Sequence, residues 1–78
     1  MNSEQESHEI KLANEIAAIL KDQDSIAMHL QYVRRYKEDF LRKVLSKVMS
    51  IEESKIRRSR AALYTFLINQ NSHGNTRH

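Results

Sequence analysis

The chain has 78 residues, with no cysteine, no proline and a single glycine, Gly74. That is one domain's worth of sequence; a domain of this size buries only about 60–65% of its unfolded surface, and no disulfide framework or thiolate metal site reinforces the core. Thirteen Lys and Arg against ten Asp and Glu give a formal charge of +3, a sign that suits an anionic partner without identifying one.

Without interior Pro or Gly the chain lacks the strongest punctuators of turns and hairpins. Ala, Leu, Glu, Lys, Arg and Gln are abundant, and these are the better helix formers. The expected fold class is therefore all-α, a compact bundle of three to four short helices with frayed polar termini. Residues 1–6 are expected as a flexible N-terminus, 7–70 as a single helical domain and 71–78 as a flexible tail. Met1 to Ser7 has no charged-then-apolar signal architecture, and no apolar run reaches the roughly 18 residues of a spanning helix. A cytoplasmic protein with no membrane attachment is the expectation.

The first helix is predicted over about 7–21. Ile10, Ala13, Ala17 and Leu20 follow one face, with Leu12, Ile16 and Ile19 beside it, at the 3.6-residue spacing of an amphipathic helix. Glu9 in its first turn and Lys21 in its last suit the helix dipole. Asp22 to Ser25 reads as a turn, with Asp24 or Ser25 able to cap the next helix.

The second helix is predicted over about 25–36, and the third over about 38–49. Ile26, Leu30, Val33, Phe40, Val44 and Val48 can be threaded on one helical face, so periodicity alone permits one long helix. Charge order favours a break near Tyr36–Lys37. Arg34, Arg35 and Lys37 precede Glu38 and Asp39, and cations belong at a helix C-terminus and anions at the next N-terminus. In the third helix Phe40, Leu41, Val44, Leu45, Val48 and Met49 form a wide core-facing stripe.

The last helix is predicted over about 51–69. Ser50-Ile51-Glu52-Glu53 matches the S-x-x-E capping box, in which Ser50 accepts from the N–H three residues on and Glu53 reaches back. Projection at 100° per residue puts Ile56, Ser59, Leu63, Phe66 and Leu67 on one packing face. Ala61, Tyr64 and Ile68 form a second apolar strip, either packed on the first helix or free as a protein interface.

The strongest functional candidate is the basic run Lys55, Arg57, Arg58 and Arg60. Cations on two flanks can straddle a phosphate backbone, and arginine holds a phosphate through two parallel hydrogen bonds. Arg34, Arg35 and Lys37 would widen the patch if the fold brought them close, and Arg42, Lys43 and Lys47 could add to it. The competing reading is a solvated face with Glu52 and Glu53 paired to Arg57 or Lys55. A helix-turn-helix with the last helix as reader is disfavoured. Its leading residues would be Glu52 and Glu53, which repel phosphates, and its turn lacks glycine.

No catalytic constellation is evident. The histidines, His8, His29, His73 and His78, are not paired at metal-ligand spacing, and His29 is expected on a helix surface. The carboxylates cluster at proposed helix starts, where capping explains them. The serines lack a nucleophile elbow, and no Gly-rich phosphate loop is present. Ser59 lies in a sequence a basophilic kinase could read, but it is predicted to face the core. The basic-then-apolar run is too short in apolar residues for an interfacial membrane helix.

The expected function is that of a small non-enzymatic accessory protein that binds DNA or RNA through phosphate contacts. It uses no cofactor, metal or evident small-molecule substrate. The alternative is a protein–protein adaptor or homo-oligomer using Ala61, Tyr64 and Ile68.

Overall fold

A computed structural model describes residues 3–76, with side chains from Ser7 onward. The termini at 1–2 and 77–78, including His78, lie outside the described residues. Four helices follow one another: α1 (Ser3–Ile19), α2 (Ile26–Arg35), α3 (Glu38–Ser50) and α4 (Arg60–Gln70). Single 3₁₀ turns at Gln23–Ser25 and Glu53–Lys55 interrupt two of the connections. The all-α bundle expected from composition is the observed architecture. Helix α1 packs on α2, and α3 on α4. Helix α1 also runs alongside α3 in the same sense, because His8 meets Glu38 and Glu15 meets Arg42.

Helix α1 begins at Ser3, so residues 3–6 belong to it. It ends in a Schellman motif: the Asp22 N–H donates to Ala17 O at 2.8 Å and the Lys21 N–H to Ala18 O at 3.1 Å. Lys21 occupies the left-handed position usually given to glycine, at φ 54°.

The break between α2 and α3 falls where charge order places it. Tyr36 and Lys37 are both extended. No Pro or Gly forces this, and packing supplies the reason. Tyr36 is buried, with its ring against Tyr32 on one side and Phe40 on the other, at centroid distances of 5.7 and 5.8 Å. The Lys37 N–H, left without a helical acceptor, donates to Asn75 O at 2.9 Å. Residues 71–76, the segment expected as a flexible tail, thus fold back onto this corner, where Tyr36 and Thr76 form an isolated antiparallel bridge. Gly74, at φ +79°, reverses the backbone just before it.

Helix α3 buries Phe40, Leu41, Val44, Leu45 and Val48, five of the six residues in its predicted stripe. The sixth, Met49, stays exposed. These pack with Leu12, Ala13, Ile16 and Leu20 from α1, Val33 from α2, Tyr36, and Tyr64 and Ile68 from α4.

The predicted helix over 51–69 is corrected at its start: α4 begins at Arg60. Ser50 does not open a helix. It is the last residue of α3, and its hydroxyl donates backwards to Lys47 O at 2.7 Å. The operative cap is Ser59, whose Oγ accepts from the Ala62 N–H at 3.0 Å. Electrostatics explains the choice. A helix through 55–60 would stack Lys55 on Arg58 and Arg57 on Arg60 at i,i+3, where like charges repel. With 51–59 outside the α-helix, Arg60 donates to Val48 O at 2.7 Å, capping the end of α3.

The faces of α4 are only partly those predicted: Leu63 and Leu67 pack partly buried against the core, and the second strip takes the packed alternative. Tyr64 and Ile68 are fully buried, and Ala61 is half-buried against the core. Phe66, assigned to the core by projection, is 58% exposed, and Ser59 is exposed at the cap. The later start removes Ile56 and Ser59 from the helix, so they no longer determine which side faces inward.

Candidate functional site: the basic corner before α4

The seven cations expected to form a nucleic-acid surface do not form one patch. Arg34, Arg35 and Lys37 stand at the N-terminal end of α3, and Lys55 to Arg60 beyond its C-terminal end. The 13 residues of α3 keep the groups roughly 20 Å apart at about 1.5 Å rise per residue.

The first group is largely occupied within the fold. The Arg34 Nε lies 3.4 Å from Glu9 Oε1. The Arg35 guanidinium sits 5.6 Å from the centroid of the Tyr36 ring. Lys37 is exposed. Arg42, suggested as an extension, is neutralised by Glu15 and Glu38 at 3.1 and 2.8 Å. Those carboxylates push the guanidinium pKa further up, while hydrogen bonds from His8 and Arg42 hold the Glu38 carboxyl below its ordinary range.

The second group divides differently. Arg60 is tied to the α3 carbonyl and serves the fold. Lys55, Arg57 and Arg58 are exposed on the loop, and no carboxylate among the described residues is bonded to them. They line a groove of about 430 Å³ whose apolar wall is Ile56, Ala62, Leu63 and Phe66. An adjoining hollow shares Ile56, Arg58 and Ser59 and reaches the exposed Ile19 and Met49. The ends of α1 and α3 and the start of α4 therefore meet at one corner that is both apolar and cationic.

Charge along the chain reinforces this. Residues 1–53 carry eight Lys and Arg against all ten acids, and residues 54–78 carry five cations and no acid. Phe66 is the residue that projection missed. The available signal was its place midway between Tyr64 and Ile68, two residues from each and so about 200° around the helix from both.

The proposed protein-interface strip is likewise corrected. With Tyr64 and Ile68 at 0% exposure, they hold the core and face no partner. His29, expected on the surface, is buried at 1% exposure. Its Nε2 lies 2.9 Å from Asp22 Oδ2, and its ring is 5.8 Å from that of Tyr64. Asp22, just past the end of α1, thereby ties that turn to α2.

Among the described residues no group of three His, Asp or Glu side chains is placed to hold a metal ion. Nor is any helix among them long and apolar enough to cross a membrane. Comparisons with protein-family profiles, with curated proteins and with solved structures gave no match.

Proposed function

We propose that this is a small non-enzymatic accessory protein that binds nucleic acid, with Lys55, Arg57 and Arg58 contacting phosphates. The observation that carries this reading is the exposed cationic loop, with no acid bonded to its side chains and none in the sequence beyond Glu53. Phosphate contact is favoured by unpaired cations, because each one engaged releases a condensed counterion. A chain without cysteine needs no oxidising compartment, which fits action in the cytoplasm.

Fluorescence anisotropy with labelled oligonucleotides tests this. Three phosphate contacts give a slope of log affinity against log salt of about −2 to −3. Arg57→Ala with Arg58→Ala should weaken binding and make that slope shallower by about 1.4 to 1.8. Arg34→Ala with Arg35→Ala, at the far end of α3, should leave both unchanged. Absence of binding at about 50 mM salt overturns the proposal.

The adaptor or homo-oligomer reading persists on one observation, the exposure of Phe66, Ile19 and Met49 around two adjoining hollows. Its surface is then this corner and not the buried strip. Sedimentation that finds only monomer at high concentration counts against self-association.

A further inference from the structure

We infer that the groove beside Phe66 selects single-stranded over duplex nucleic acid, by stacking an unpaired base on the Phe66 ring while Lys55, Arg57 and Arg58 hold the adjoining phosphates. This rests on the nucleic-acid reading above and assigns the form of the ligand.

Phe66 lies on α4 and is 58% exposed, so its ring is accessible to a ligand in the groove. Leu63 lies three residues before it, on the same side of the helix, and lines the groove with Ala62 and Ile56. The cations come from the loop leading into that helix, so the apolar wall and the positive charge share one concavity.

A duplex offers this surface only phosphates and groove edges, because its base faces are stacked on each other. An unpaired base offers a flat π-face within a few bonds of its phosphate. Positive charge tracking a backbone beside an aromatic platform is the arrangement that takes single strands with little regard to sequence.

Arg60, the cation nearest the α4 N-terminus, donates to Val48 O and is turned away from a reading role. The nine residues 51–59 between α3 and α4 also exceed the 3–4-residue turn of a helix-turn-helix. Both features argue against α4 as the reader of a helix-turn-helix in a duplex major groove.

The test compares a labelled single-stranded oligonucleotide of about 20 nucleotides with its duplex, by anisotropy at about 50 mM salt. Expected is at least tenfold tighter binding of the single strand. Phe66→Ala should lower single-strand affinity about tenfold, within the range for loss of one stacked base, and leave duplex affinity and the salt slope unchanged. Phe66→Trp should restore or raise it. The exposed position makes both variants compatible with the fold, which circular dichroism verifies.

Equal affinity for both forms, or no effect of Phe66→Ala, overturns this inference and leaves the phosphate-binding proposal standing. Failure of both forms to bind overturns the two together. A dimer in sedimentation that Phe66→Ala dissolves also overturns it, by assigning the ring to a second copy of the chain.

Discussion

The ring of Tyr64 is fully buried against His29, and its hydroxyl finds no hydrogen-bond partner among the described residues. Burying a hydroxyl without a partner costs about 1–3 kcal/mol. Tyr64→Phe keeps the ring and removes that cost, so it should raise Tm by several degrees, at about 4–8 °C per kcal/mol for a domain of this size. Burial also raises the phenol pKa above its ordinary 10.0. The unfolded chain releases that proton from about pH 10 upward while the folded chain retains it, so stability is full below this pH and falls as pH rises past it. Tyr64→Phe should therefore resist alkaline unfolding better than the parent. Far-UV circular dichroism from pH 8 to 12 reads both effects, and a lower Tm for the variant would contradict this account of the core.

The two serines at the ends of α3 and α4 have opposite roles, and stability measurements should separate them. Ser59→Ala removes an N-cap and should cost about 0.5–2 kcal/mol in denaturant unfolding. Ser50→Ala removes only a hydroxyl bonded back to its own helix and should fall within about 0.5 kcal/mol of the parent. Equal effects would show that the cap lies elsewhere. At the end of α1, Lys21 holds a left-handed backbone that costs a non-glycine residue about 1–2 kcal/mol. Lys21→Gly should raise Tm by a few degrees, while Lys21→Val should lower it. The opposite order would place the strain outside this turn.

These elements also show what the sequence makes legible. In α3 a single stripe points one way, and five of its six apolar residues are buried. The α2–α3 break was readable because Arg34, Arg35 and Lys37 abut Glu38 and Asp39. The start of α4 was not. Two serines compete as caps there, and the choice depends on repulsion among Lys55, Arg57, Arg58 and Arg60 and on a carbonyl at Val48 that only the tertiary fold supplies. An error of nine residues in the start then displaced the inferred core face, hid Phe66 as a surface residue and offered Tyr64 as an interface. The basic cluster itself was readable, but its division by α3 from Arg34 to Lys37 was not. His29 escaped because its partner, Asp22, lies in a turn seven residues away.

Among the described residues, the ion pairs lie mainly along α1 and the neighbouring faces of α2 and α3, and none reaches the corner before α4. At the opposite end the hydrogen bond from Lys37 to Asn75 joins the middle of the chain to its last described residues. The contact bears on a choice that hydrophobic spacing leaves open, since Ile26 through Val48 also suit one continuous helix. Residues 71–76 thus act as a latch on a hinge. A chain shortened to end at Gln70 loses the latch, and straightening at Tyr36–Lys37 would carry α3 and α4 away from their own α1 and onto that of another copy. The expected product is a domain-swapped dimer, seen as a concentration-dependent second species in size-exclusion chromatography. A shortened chain that stays strictly monomeric with unchanged helicity would assign the bend to the packing of Tyr36 alone. If the swapped dimer forms, residues 71–76 serve less to stabilise the bundle than to keep each molecule folded on itself.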